Sequence, residues 1–236
     1  MDILYHGHSC FELTEGETRL LVDPFLAPNN PVAKATADEV NPTHIALTHG
    51  HGDHAGAAPA LAEALGVQVV GPPTVSSVDT PLQDGERVET DDGVLVAVHT
   101  PGHTEDHLSY HWLDRGALFV GDLMLGQGDT TWVAEYPGCV RDYLASLQRV
   151  RALAPRVLYP SHGPPLRDAP GAVHRYERHR MTRIRQVAAV LARHPEAFGA
   201  ELLEAVYGDS LPAGMEGAAL RSVEALVEYV KDTEVG

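Results

Sequence analysis

The sequence predicts an α+β fold: a strand-rich body over residues 1–170, followed by a small helical extension over 171–236. Three observations carry this reading. Short apolar runs bounded by turn residues recur through the first half, which is how strands look in sequence. From Cys139 onward, apolar residues recur at spacings of three and four, the signature of an amphipathic helix. Beyond a Pro-rich stretch from Pro164 to Pro170, the chain carries helical segments and no strand signal. With 236 residues, 44% of them hydrophobic, the chain is long enough to bury a full core.

Taken in order, "DILYH" and "CFEL" predict two strands, and a turn at Glu15 to Glu17 leads into a third, "RLLVDP". "HIALTH" predicts a buried strand that runs straight into a His-rich loop. "AAPALAEALG" has helical composition and is closed by Gly66. "VQVVGPP", "RVET", "VLVAVHTPGH", "LSYHW" and "ALFVGD" predict a series of strands, several ending in His or Asp. "CVRDYLASLQRVRALAP" predicts the amphipathic helix, and "RVLYPSHGPP" one more strand. Pro164 to Pro170 reads as a boundary. Helices follow at roughly His174 to Arg193, Ala200 to Tyr207 and Met215 to Lys231.

Composition narrows the function classes. No stretch approaches the roughly 18 uninterrupted apolar residues of a membrane span, and the N-terminus lacks the order of a signal peptide, so a cytoplasmic protein with no membrane partner is expected. The two cysteines, Cys10 and Cys139, make no zinc spacing and no disulfide framework. The net charge of −16 argues against an anionic partner, but it is unevenly placed. Residues 1–140 hold 4 Lys and Arg against 21 Asp and Glu, whereas the remainder holds 13 against 12. Most of the late basic residues are arginines, including Arg175, Arg178, Arg180, Arg183 and Arg185.

The chemistry sits in the loops. "THGHGDHAG" offers His49, His51, Asp53 and His54 within six residues, with Gly50 and Gly52 between them. Imidazole suits zinc and other borderline divalent metals, and a neighbouring carboxylate can bind a second ion or hold a water. Three other predicted strands end in one candidate each: His103 in "HTPGH", Asp122 in "LFVGD" and His162 in "LYPSHGPP". Together they supply enough ligands for two metal ions.

The order HxHxDH, then PGHT, then GD, then SHG is that of the metallo-β-lactamase-fold hydrolases, which the chain resembles over residues 1 to about 170. The resemblance implies a four-layer αββα sandwich with both metals at one edge. It implies that His49, His51 and His103 hold the first metal, that Asp53, His54 and His162 hold the second, and that Asp122 bridges them. Two cations roughly 3.5 to 4 Å apart can hold a shared hydroxide and polarise a substrate oxygen, and Asp53 would orient that hydroxide or move its proton. Zinc is the default metal, with manganese or iron compatible. "HGHSC", with His6 and His8, precedes the first strand pair on this reading and is surplus to a complete set. His8 is expected to hydrogen-bond a ligand or substrate, Asp23 to buttress the metal loop, and His107 either to project toward substrate or to lie on the surface.

"YHGHSCFELTEGETRLLVDPFLAPNNP" is similar to the start of a group of small metal-dependent hydrolases of this fold. "TPGHTEDH", "VGDLMLGQGDTTW", "YPSHGPPL" and "YERHRMTRIRQ" are similar to the β-lactamase-like protein 2 group, whose tail is winged-helix-like. One departure is Ile184, which follows Arg183 where that group usually carries Glu. The resemblance implies cleavage of an ester-like bond: a thioester, a lactone or a phosphodiester. The partner would be a small anionic acyl substrate or RNA, with Arg180 and its neighbours as the anion grip and a homodimer allowed. A single-strand endoribonuclease, an iron-dependent persulfide dioxygenase and a non-catalytic binding protein are the alternatives.

Overall fold

The computed structural model describes residues 2–90, 93–208, 211 and 214–234. Among the described residues, eleven strands form two sheets. The first runs β1 (Asp2–Gly7), β2 (Cys10–Glu15), β3 (Thr18–Val22), β4 (His44–Ala46), β5 (Gln68–Gly71) and β6 (Thr80–Pro81), in that spatial order. The second contains β7 (Arg87–Thr90), β8 (Gly93–His99), β9 (Leu108–Trp112), β10 (Ala117–Gly121) and β11 (Val157–Pro160), in the order β11-β10-β9-β8-β7. Hairpins make the antiparallel pairs, while β3-β4, β4-β5, β5-β6 and β10-β11 are parallel.

The period-two alternation of the strands explains why the sheets stack. Leu20 and Val22 of β3, Ala46 of β4 and Val70 of β5 face Leu95, Ala97, Tyr110, Trp112 and Phe119 of the other sheet, forming the central core. Their neighbours Leu21, Ile45 and Val69 point the opposite way, against Leu61 of helix α2 (Ala58–Leu65). On the far side Leu118, Val120 and Leu158 meet the helices α3 (Cys139–Leu153), α4 (Ala169–Leu191), α5 (Ala200–Tyr207) and α6 (Glu216–Glu234). Three cores between four layers make the αββα sandwich that the sequence predicts. Each apolar side chain sealed in such a core contributes about 1.5 to 3 kcal/mol.

Three local features differ from the sequence reading. "HGHSC" does not precede the first strand pair: it is the turn between β1 and β2, so it is pinned at the sheet end. The Pro-rich boundary is already helical at its end, because α4 begins at Ala169. Proline is tolerated in a first helical turn, where its missing N–H has no partner to lose, and Asp168 caps the turn by accepting from the Gly171 amide at 3.0 Å. Finally, a four-residue helix α1 (Gly52–Ala55) lies inside the His-rich loop.

Among the described residues the helical extension has no separate core. Val173, Tyr176, Val187, Val223 and Leu226 share one cluster with Tyr143 and Leu147 of α3. Among the described residues no strand follows β11, so the extension shows helices without a wing. No helix among them is long and apolar enough to cross a membrane.

Candidate metal centre

Each candidate side chain hangs from the end of a strand or from the turn after it. His49 and His51 follow β4, and His51 caps α1, which carries Asp53 and His54. His103 follows β8, Asp122 follows β10 and His162 follows β11. Gly121 makes the Asp122 turn possible: its φ is +52°, and a Cβ there would collide with the His107 ring. Gly102 does the same service before His103, since a Cβ at its φ of +136° would lie 2.6 Å from the Tyr143 backbone on α3.

The structure brings His49, His51 and His103 together, with His51 Nδ1 lying 3.1 Å from both His49 Nε2 and His103 Nε2. The outer nitrogen of each ring settles what these inner atoms carry. His103 Nδ1 donates to the Trp132 carbonyl at 2.9 Å, so its Nε2 is bare. His51 Nε2 donates to Glu135 Oε1 at 2.8 Å, which turns Nδ1 inward. Thr48 donates its hydroxyl to Asp23 Oδ2 at 2.7 Å and accepts from His49 Nδ1 at 3.0 Å, so His49 Nε2 is bare as well. The bare Nε2 atoms of His49 and His103 therefore converge on His51 Nδ1. Burial, helped by the neighbouring imidazoles, holds the pKa of His49 well below its ordinary value, and burial lowers that of His103 too, keeping both neutral. A cation ligated by neutral imidazole resolves this arrangement.

A second set adjoins the first. Asp122 Oδ2 lies 3.2 Å from His162 Nε2, 3.6 Å from His54 Nε2 and 3.7 Å from His103 Nε2, facing both sets at once. Asp53 Oδ2 lies 3.7 Å from the same atoms of His54 and His162. His54 Nε2 and Asp122 Oδ1 are buried polar atoms without hydrogen-bond partners, an arrangement that is costly unless an ion completes it. The charge points the same way. Burial opposes ionisation of Asp122, but His162 and His54 overcome it and hold the carboxyl well below its usual range. Burial alone would lower the His54 pKa, yet Asp23 and Asp122 raise it to about 10. The site thus demands positive charge at His54 Nε2, and the donor set of imidazoles and carboxylates fits divalent metal.

Asp23 is the hub beneath the site. Fully buried, and with φ at +48°, it accepts from the Thr48 amide at 2.8 Å, the Thr48 hydroxyl and His54 Nδ1 at 2.9 Å. Aspartate tolerates this left-handed backbone better than most residues. His8, also at positive φ, donates from Nε2 to Asp53 Oδ2 at 2.8 Å, while Ser9 donates its hydroxyl to the Asp53 carbonyl. His6 is turned away and pairs with Glu12 at 2.7 Å.

Two candidates lie elsewhere than expected. His107 faces neither substrate nor surface: it is fully buried, donating from Nδ1 to Thr100 at 2.9 Å and accepting from the Asp122 amide at 3.3 Å. It supports the Asp122 turn from behind. Arg180 is only 4% exposed and donates to the Thr131 carbonyl at 3.1 Å, with its guanidinium 5.2 Å from the Tyr143 ring centre. It therefore cannot grip a substrate. Arg175 reaches the Gly128 carbonyl, and Arg183 stacks on Tyr207 at 4.5 Å, so only Arg178 and Arg185 project freely from this part of α4.

Thr48, Ser9, Glu135 and the segment from Thr131 to Trp132 escaped the sequence reading. Thr48 had a usable signal, because it directly precedes His49 at the strand end. Glu135 had none. Beside His51 lies a groove of about 670 Å³, walled by residues that include Thr74, Ser76, Glu105, Asp106 and Glu135, with no Lys or Arg in its lining.

The metallo-beta-lactamase superfamily profile matches residues 5–162. A beta-lactamase-like protein 2 homolog of Caenorhabditis elegans is 30% identical, over 94% of this chain and 78% of that protein. An atrochrysone carboxyl ACP thioesterase of a Cryptosporiopsis species is also 30% identical, over 82% of this chain and 64% of its own length. A crystal structure of a beta-lactamase domain protein from Burkholderia ambifaria superposes with a TM-score of 0.82 at 20% identity, covering 95% of this chain and 81% of that one. The converging donors and these matches agree: the chain belongs to the metallo-beta-lactamase superfamily and is a metal-dependent hydrolase.

Proposed function

We propose that the chain is a binuclear hydrolase of a carbonyl ester-like bond, a thioester or lactone. His49, His51 and His103 would hold one divalent ion, and Asp53, His54 and His162 the other, with the Asp122 carboxylate within reach of both sets. Zinc suits the imidazole-rich set, and manganese or iron suits the mixed one. When bound, such ions polarise a substrate oxygen and bring the pKa of water from about 15.7 toward about 7.

The chain's own residues do the rest. The Asp53 carboxylate stands at the mouth, its side chain 38% exposed, and His8 holds its Oδ2 in place. From there Asp53 can take up the proton released by water and pass it to the leaving group. The hydroxyl and carboxylate walls of the groove orient an uncharged acyl portion beside His51.

One observation carries the choice of a carbonyl over a phosphodiester. Of the basic residues that would screen phosphates, Arg175, Arg180 and Arg183 are tied to backbone carbonyls, and the groove at His51 lines up carboxylates in their place. Phosphate backbones are held by neutralising Lys and Arg, so this wall suits an acyl group better than RNA.

The test is thiol release from an S-acyl-N-acetylcysteamine thioester by metal-loaded protein, with labelled single-stranded RNA run alongside. Turnover of the thioester should fall about 10²- to 10⁴-fold in Asp53→Ala, and RNA should survive. RNA cleavage that disappears in the same variant would overturn the carbonyl reading in favour of a nuclease.

A further inference from the structure

We infer that Glu135 is a positioning residue for His51, fixing the ring so that Nδ1 faces the other two imidazoles. The inference rests on the metal-centre reading and adds to it a residue outside every motif of the sequence.

His51 is the least supported member of the three-nitrogen set. His49 is fully buried and tied through Thr48 to Asp23, and His103 is 4% exposed and tied to the Trp132 carbonyl. The His51 side chain, by contrast, is 36% exposed at the cap of a helix only four residues long. Its outer nitrogen meets Glu135 Oε1 at 2.8 Å. Without that acceptor, the ring is free to turn over and present the wrong nitrogen. A carboxylate behind a ligating imidazole fixes its tautomer and raises its basicity, an effect worth about 10- to 100-fold in metal affinity.

The loop that carries Glu135 is held from its other side. This loop, which joins β10 to α3, also supplies the Trp132 carbonyl to His103, and Thr131 donates its hydroxyl to the Asp122 carbonyl at 2.8 Å. The C-terminal helices grip this loop at several points. Arg180 donates to the Thr131 carbonyl, Arg175 donates to that of Gly128, and Arg221 lies 5.0 Å over the Trp132 ring. Tyr176 exchanges hydrogen bonds with both backbone groups of Leu125 at 2.8 Å. The helical extension thereby packs on the loop that carries Glu135 to His51.

The experiment is a cobalt titration of chelator-treated full-length protein, followed by visible absorption and by competition with a chromophoric chelator. Glu135→Ala should weaken one of the two cobalt equivalents by about 10- to 100-fold and change its visible spectrum. Glu135→Gln, which keeps an acceptor oxygen, should lose less. Glu63→Gln, exposed on helix α2, should bind like wild type. The melting temperature of the metal-free Glu135 variants should match wild type, because the side chain is one-third exposed. Cobalt binding and spectrum unchanged in Glu135→Ala would overturn the inference alone. Failure of the wild type to take up cobalt would overturn the metal-centre reading beneath it.

Discussion

His54 Nδ1 donates to Asp23 Oδ2 at 2.9 Å, and both side chains are sealed from solvent. This one bond fixes the His54 tautomer, turns Nε2 toward Asp122, and shares its acceptor with the Thr48 hydroxyl that orients His49. Asp23→Ala would leave buried donors on Thr48 and His54 without an acceptor, at about 1 to 3 kcal/mol for each. A lower urea midpoint with unchanged m-value is the expected result. Asp23→Asn keeps the volume but offers an amide where His54 needs an acceptor, so metal affinity should fall about 10- to 100-fold even where folding survives.

His8 and Asp53 should separate in their effects. His8 meets the proposed ligand set at Asp53, to which its Nε2 donates, and at the His162 ring, 4.3 Å away between centres; with Nε2 so engaged, His8→Ala should retain full metal content and lose up to about 100-fold in turnover as Asp53 drifts from its place. Asp53→Ala should lose both metal at the second set and activity. Elemental analysis beside kinetics checks this, and metal loss in His8→Ala would make His8 a ligand instead.

Removal of metal should change how stability depends on pH. In the metal-free protein the pKa of His54 is raised from its ordinary 6.5 to about 10. A raised folded-state value means the stabilisation is complete below about 6.5 and is lost as pH rises toward 10. Chelated protein should therefore lose stability steadily across that window. Metal-loaded protein should not, because the ion occupies the place of the proton. Melting curves with and without chelator between pH 6.5 and pH 10 test the difference, and parallel curves would exclude metal at His54.

Arg180 should prove a brace. Arg180→Ala removes a buried side chain and leaves the Thr131 carbonyl with only the longer bond from the Thr130 hydroxyl, for a cost of about 2 to 5 kcal/mol. Arg180→Met fills most of the space without a buried charge and should cost less. If Arg180→Ala kept wild-type stability and instead lost affinity for an anionic substrate, the brace would be wrong.

The candidate ligands were legible in sequence because they are local: His49, His51, Asp53 and His54 crowd one loop, and His103, Asp122 and His162 each close an apolar run. The strands were legible for the same reason, since alternation is set by immediate neighbours, and α3 showed its face through its own spacing. The start of α4 was hidden because prolines read as a boundary, although the first turn of a helix tolerates them. The site's supports were not legible. The acceptor for His51 comes from Glu135, that for His103 from a backbone carbonyl, and that for His49 from a threonine bonded to Asp23, so no short motif could join them. Of the arginines that look like an anion grip along one helix, Arg175, Arg180 and Arg183 proved to be tied to backbone carbonyls, while Arg178 and Arg185 stay exposed. The sequence by itself determined which atoms can bind metal. Tertiary structure alone decided which lone pair each ring presents, because a hydrogen bond from a distant segment holds the other nitrogen.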